Sequence, residues 1–154
     1  MSTWHCKSFE QLSSNELYAI LHARQNVFIL EQTCLYGDID NLDFHCFHLF
    51  LSTQADDNTH TIHAYLRILP PGVSYTQASL GRVLVSIDSR NQGLATVLIN
   101  KGLEQLQQRY PKQPIKIAAQ YYLLAFYQSL GFNQISDIYL DDGIEHIDML
   151  LTPE

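Results

Sequence analysis

Apolar residues recur along this chain with two different periods, and the switches between them mark out its elements. Trp4 to Phe9 alternates weakly and reads as a short first strand. Leu17, Ile20, Leu21, Val27 and Phe28 fall on one face at helical spacing, and Ser13-Ser-Asn-Glu16 in front of them has capping-box spacing, so a helix from about Ser14 to Glu31 is predicted. A long irregular piece follows, Thr33 to Phe44, with Tyr36-Gly-Asp38 and Asp40-Asn41 as turn formers; loops of this length in compact domains often carry function. His45 to Leu51, Thr61 to Leu69 and Ala78 to Ser86 are strand candidates, separated by Asp57-Asn58 and Pro70-Pro71-Gly72, and their succession suggests an antiparallel meander.

In the second half, Leu94, Val97, Leu98 and Leu106 define a helix from about Gly93 to Tyr110 that Pro111 ends. Ile115 to Ala119 is a short apolar strand, and Tyr122 to Leu130 a second short helix. Gly131 stands where a left-handed residue closes a helix. Phe132 to Leu140 and Ile144 to Leu151 flank Asp141-Asp142-Gly143, a good hairpin turn. The order β-α-β-β-β-α-β-α-β-β describes an α+β fold, a mixed and mostly antiparallel sheet with helices packed on it. At 154 residues and 46% hydrophobic content, the chain is expected to form a single domain over residues 1–154.

One junction in this pattern carries chemistry. Leu80 to Ser86 is a strand, Ile87 to Gln92 a polar turn, and Leu94 opens a helix, so Arg90-x-x-Gly93-x-Ala95 falls at a helix N-terminus. The first N–H groups of a helix lack intrahelical partners and its dipole is positive there, which favours an anion. Gly93 and Ala95, with little or no side chain, let a pyrophosphate approach the backbone. Six residues of this kind are a weak signal alone, because an ordinary strand-to-helix turn with a solvated Arg looks the same.

Charge and composition narrow the partners. A formal net charge of -7 argues against nonspecific nucleic-acid binding, which needs basic surface, and makes a cationic small molecule the more natural visitor. Three cysteines, odd in number and irregularly spaced, fit a reducing compartment better than a disulfide framework. No apolar run of signal-peptide or membrane-span length is present, so a cytoplasmic protein without membrane association is expected. Seven histidines include His45-x-x-His48 and His60-x-x-His63, but residues three apart on a strand point to opposite faces, and no metal is expected.

The junction gains meaning from a second segment, Ile117 to Phe132, in which Phe126-Tyr127-x-x-Leu130-Gly131-Phe132 follows a strand and a short helix. In this order, the two segments resemble the acyl-CoA site of the GNAT superfamily of N-acetyltransferases. Arg24-x-x-Val27-Phe28-x-x-Glu31-Gln32, Asp38-x-Asp40, Gly81-Arg82-Val83 and Asp141-Asp142-Gly143-Ile144 narrow the resemblance to the ElaA-like branch, over nearly the whole chain. The resemblance implies acetyl-CoA as cosubstrate, with pantetheine along the backbone of Val83, Leu84 and Val85. It places the pyrophosphate on the amides of Gln92, Gly93, Leu94 and Ala95, with Thr96 near and Arg90 opening the motif. It also implies that Tyr127 protonates the departing thiolate; the plain structural alternative is a tyrosine packing beside Phe126.

The rest of the site is less determined by sequence. Glu31 and His146 are candidates for the general base or acceptor contacts, against the plainer readings of a salt-bridged helix end and a sheet-edge residue. The related branch often has Pro where this chain has Glu145, which weakens any role carried over to His146. Arg67 and Arg82 sit in apolar strands and must be paired or reach a wet cleft; internal pairing with Glu31, Asp38 or Asp40 and a carboxylate or phosphate site for the acceptor both satisfy that requirement. The function expected is acetyl transfer from acetyl-CoA to a primary amine, small or protein-borne, in a ternary complex, with a homodimer admitted. A non-catalytic acyl-CoA sensor and an acyltransferase using another acyl donor are the alternatives.

Overall fold

The computed structural model describes residues 1–35 and 37–153; Tyr36, the first residue of the turn former Tyr36-Gly-Asp38, and Glu154 lie outside them. Eight strands and three α-helices follow in the order β1 (Ser2–Ser8), α1 (Ser14–Arg24), β2 (Phe47–Gln54), β3 (His60–Leu69), β4 (Ser79–Val85), α2 (Leu94–Arg109), β5 (Ile115–Gln120), α3 (Leu124–Ser129), β6 (Asn133–Gln134), β7 (Tyr139–Asp141) and β8 (Ile144–Leu151). Strands β1 to β4 form an antiparallel meander in sequence order, and β5, β8 and β6 form a second antiparallel sheet, with β7 also paired to β8. The two sheets touch through a single parallel bridge, Ala78 to Ile115, where the Lys116 amide donates to the Ala78 carbonyl at 3.0 Å. Beyond that bridge β4 and β5 share no ladder, and a gap opens between them.

Packing explains why the meander is apolar on both faces. Leu49, Leu66, Ile68 and Leu80 meet Leu98, Ile99 and Leu106 of α2 on one side, in a core that continues into Ile117, Ile147 and Met149 of the second sheet. Phe50, Tyr65 and Leu84 meet Ala19, Ile20 and Val27 on the other. Each such fully buried aliphatic side chain contributes about 1.5–3 kcal/mol. Gly102 lets α2 approach β3 and β4, since a Cβ there would lie 3.0 Å from Leu66 Cδ2 and 3.2 Å from Leu80 Cδ2.

The expected elements differ from the observed ones in three places. The first helix starts as predicted, with Ser13 Oγ accepting from the Glu16 amide at 3.0 Å and Glu16 Oε1 accepting from the Ser13 amide at 2.8 Å. It leaves α-helical pairing at Arg24, however, and continues as a π-helix over Gln25–Glu31, whose wider turns change which residues face the sheet. The strand predicted from His45 begins at Phe47, because Leu42–His45 forms a 3-10 turn instead. The strand predicted over Phe132 to Leu140 is broken into β6 and β7: Ser136 Oγ accepts from the Asp148 amide at 2.8 Å, so a side chain takes the place of a ladder bond. Among the described residues, no helix is long and apolar enough to cross a membrane.

Candidate active site

The gap between β4 and β5 is the mouth of a cavity of about 630 Å³ walled by several elements. Val83, Leu84 and Val85 come from β4, Ala118 to Gln120 from β5, Phe126 and Tyr127 from α3, and Val27, Phe28 and Glu31 from the π-helix. The sheets part here because β4 is bulged. Cross-strand register runs from Tyr65↔Leu84 to Arg67↔Gly81, so Leu66 faces two residues, Arg82 and Val83, and Arg82 takes a left-handed φ of 50°. A two-against-one bulge puts its extra residue outside the ladder and bends the strand, which leaves backbone polar groups without ladder partners beside the cavity.

A charged block holds that bulge. Arg24, fully buried at the end of α1, donates from Nη1 to Asp43 Oδ1 at 2.7 Å and from Nε to Asp38 Oδ2 at 2.9 Å. Arg67, 3% exposed, donates from Nη2 to Asp40 Oδ2 at 2.6 Å and from Nη1 to Asp43 Oδ1 at 3.0 Å. Arg82 donates from Nη2 to the Asp38 carbonyl at 3.0 Å, and its Nε lies 2.8 Å from Asp38 Oδ1. Burial alone would raise the Asp40 carboxyl, but the hydrogen bond and charge of Arg67, with the charge of Arg82, hold it at about 2. Asp43 is likewise kept below the ordinary carboxylate range, burial being outweighed by Arg24 and Arg67. The block ties the loop after the π-helix to β3 and β4. Arg67 does not line the cavity, whereas Arg82 does, with its charge already engaged.

The approach to α2 forms the second part. Asn91 and Gly93 are both left-handed, at φ of 64° and 73°, so the backbone turns sharply before Leu94 and its N–H groups fan outward. Gln92, Gly93 and Thr96 are exposed, Leu94 and Ala95 half-buried, and Ala95 and Arg90 also line the cavity. Arg90 Nε donates to the Val85 carbonyl at 3.0 Å, and both Nη atoms donate to the Glu31 carboxylate, Nη2 to Oε1 at 2.7 Å. That hydrogen bond lowers the Glu31 carboxyl below its ordinary range.

Tyr127 and His146 complete the walls. Tyr127 is 6% exposed, packs edge-on between Phe126 and Phe132, and lines the cavity. Its hydroxyl makes no hydrogen bond to a described residue, and burial pushes the phenol up to about 12. The α3 backbone is held behind it, since the Leu130 and Phe132 amides both donate to the Tyr127 carbonyl at 3.1 Å, with Gly131 at φ 99° between them. His146 Nδ1 pairs with the Ile144 carbonyl at 2.8 Å and its ring stacks on Tyr139, while still lining the cavity. The structure thus gathers Glu31, Arg82, Val83, Leu84, Val85, Arg90, Ala95, Tyr127 and His146 around one space and sets Arg67 behind it. Asp43, the acid shared by Arg24 and Arg67, went unread in the sequence, where Glu31, Asp38 and Asp40 were the partners considered for Arg67 and Arg82. Asp141 and Asp142, read in the sequence as a turn and as part of a family motif but not as site residues, also line the cavity.

A splayed pair of strands, a bulged strand facing the gap and a helix N-terminus at its mouth define an acyl-CoA-dependent N-acyltransferase fold. The chain belongs to the GNAT acetyltransferase family, ElaA-like branch: the family domain described as "Acetyltransferase (GNAT) domain" matches residues 29–153. Protein ElaA of Escherichia coli is 35% identical over 156 residues, covering 97% of this chain and 95% of that one. The UPF0039 protein sll0451 of Synechocystis is 37% identical over 147 residues, covering 96% of this chain and 93% of that one. Among solved structures, an acyl-CoA N-acyltransferase from Pseudomonas aeruginosa superposes with a TM-score of 0.90 at 35% identity, covering 99% of this chain and 100% of that chain. Escherichia coli ElaA superposes with a TM-score of 0.87, covering 98% and 99%. The protein is therefore a GNAT-type N-acetyltransferase with the α+β fold of that family.

Proposed function

We propose that the cavity binds acetyl-CoA and passes its acetyl group to a primary amine by direct attack within a ternary complex. The pantetheine arm lies in the gap, bonded to the backbone of Val83, Leu84 and Val85, and the pyrophosphate sits on the amides of Gln92 to Ala95, with Thr96 and Arg90 beside it. The bulge supplies backbone donors for the thioester oxygen, where negative charge grows as the amine attacks. The amine nitrogen bonds to the carbonyl carbon, the carbon–sulfur bond breaks, the nitrogen gives up a proton and the sulfur gains one.

Tyr127 is the acid in this reading, and its position carries the case: the residue is 6% exposed, lines the gap, and its hydroxyl makes no hydrogen bond to a described residue. A phenol raised to about 12 stays protonated at neutral pH and donates to sulfur as the bond breaks. Glu31, with both oxygens on Arg90, is a weakened base; we assign it to holding Arg90, and the proton leaving nitrogen passes to water. Arg67 and Arg82 act through their carboxylates, holding the bulge. Replacing Tyr127 with Phe is expected to lower kcat for thiol release by about 100-fold or more with acetyl-CoA affinity retained. A variant with unchanged kcat would remove Tyr127 from the mechanism, and an acyl-CoA sensor would show no turnover in the parent protein.

A further inference from the structure

If the acetyl transfer proposed above is right, the water that takes the proton from nitrogen must pass it on, and the cavity wall offers few places for it. Glu31 has both oxygens on Arg90, and Asp38 is held between Arg24 and Arg82. Asp141 and Asp142 are exposed turn residues. An exposed carboxylate holds a proton poorly at neutral pH, whereas an imidazole both takes one and gives it back there. His146 is the imidazole on the described wall.

Its ring is fixed by two independent contacts. His146 pairs across the sheet with Gln120 of β5 and Tyr139 of β7; its ring stacks on Tyr139 at an interplanar angle of 25°, and the Tyr139 hydroxyl is anchored on Asp148 Oδ1 at 2.5 Å. Nδ1 lies 2.8 Å from the Ile144 carbonyl, which can only accept, so Nδ1 carries the hydrogen. In the neutral ring that leaves Nε2 with a lone pair, and it makes no hydrogen bond to a described residue. We infer that His146 Nε2 is the terminal proton acceptor of the reaction, reached from the amine nitrogen through one water. As the carbon–nitrogen bond forms, the nitrogen's proton moves to the water and a proton of that water moves to Nε2. Tyr127 gives its own proton to sulfur as the carbon–sulfur bond breaks. Solvent then carries one proton from the imidazolium back to the phenolate, so the site is restored with no net change of charge. The bond from Nδ1 to the Ile144 carbonyl persists in both states of the ring and keeps its orientation. A residue that only packed on Tyr139 would need neither the cavity nor an open Nε2.

Two measurements test this. Long-range proton–nitrogen NMR of the full chain with CoA bound, in mildly alkaline buffer and with His146 assigned through the β8 backbone, is expected to show hydrogen on Nδ1 and an unprotonated Nε2. Hydrogen on Nε2 instead would overturn the inference. Thiol release from acetyl-CoA is then followed with methylamine and with n-butylamine, in the parent and in His146→Ala. The variant is expected to lose about 100-fold in kcat with acetyl-CoA affinity retained, and added imidazole to restore much of the loss. Pyrrole, a ring of the same size without a basic nitrogen, should restore nothing. Equal rescue by pyrrole would make His146 a packing residue and overturn the inference, and so would an unchanged kcat. If His146→Ala does not fold, His146→Gln takes its place, since its amide can still donate to the Ile144 carbonyl; a kcat equal to the parent's is then the overturning result. If the parent binds acetyl-CoA but turns over neither amine, the tautomer seen by NMR decides. A Tyr127→Phe variant that is slowed beside a His146→Ala variant that is not overturns this inference alone, whereas failure to bind acetyl-CoA overturns the earlier reading and this one with it.

Discussion

Asp43→Asn strikes the charged block at the carboxylate that Arg24 and Arg67 share. Asp43 Oδ1 accepts from Arg24 at 2.7 Å and from Arg67 at 3.0 Å, and side-chain exposures of 0% for Arg24, 4% for Arg67 and 8% for Asp43 leave water little room to compensate. At these distances each pair has a gross attraction of about 6 kcal/mol at an effective dielectric of 20, much of it already offset by the cost of desolvating three charges. The relevant figure is the loss on breaking a buried pair, about 3–5 kcal/mol, and the low end applies because Asn still offers one acceptor oxygen. For a chain of 154 residues, about 3 kcal/mol corresponds to a Tm lowered by about 6–12 °C. Differential scanning calorimetry at neutral pH reads this directly. The pH dependence supplies a second readout. Because the folded-state carboxyl of Asp43 lies below its unfolded value, its contribution is fully present above about pH 4 and is lost as pH falls through the folded value. The gap between parent and variant should therefore narrow in acid. A Tm change under about 2 °C at neutral pH, or a gap that stays constant as pH falls below 4, would refute this account of the block.

Other consequences follow from the same geometry. Glu31→Gln frees both Nη atoms of Arg90 and removes an anion from the pyrophosphate approach, so acetyl-CoA should bind about twofold to fivefold more tightly by calorimetry; weaker binding would show that Glu31 assists the cosubstrate instead. Gly131→Ala forces a Cβ onto a backbone at φ 99° and to within 3.1 Å of Leu151 Cδ1, and should cost at least about 1–2 kcal/mol in urea unfolding, whereas no change would mean the turn relaxes freely. Acid titration of the parent should show Asp40 losing its contribution only as pH falls from about 4 toward its folded value of about 2, on the order of 2 kcal/mol, and NMR of the carboxyl that finds it titrating near 4 would contradict the pairing with Arg67.

Much of this architecture is written in local patterns. The capping box at Ser13, the apolar runs of β2 to β4, the strand-turn-helix around Arg90 and the glycine after α3 each depend on a few neighbouring residues, because helix caps, strand pleats and left-handed turns are set by adjacent backbone groups. The family and the donor end of the site follow from two such local signatures in order. The break between β6 and β7 was not legible, since it depends on Ser136 meeting the amide of Asp148 on another strand. Nor was the π-helix, which begins just after Arg24 and ends at Glu31, whose carboxylate meets Arg90.

The sequence by itself determined which residues could make helices, strands and an anion-binding turn, and it posed the question of what Arg67 and Arg82 were for. Only the tertiary structure decided the answer, because ion pairing is a matter of distance in space: residues 38 to 43 fold back onto strands more than twenty positions away and neutralise them. By engaging those arginines, the fold leaves Asp141 and Asp142 as the free charges on the described wall of the cavity. A linear pattern can show that charges exist; burial and proximity determine which of them remain available to a ligand.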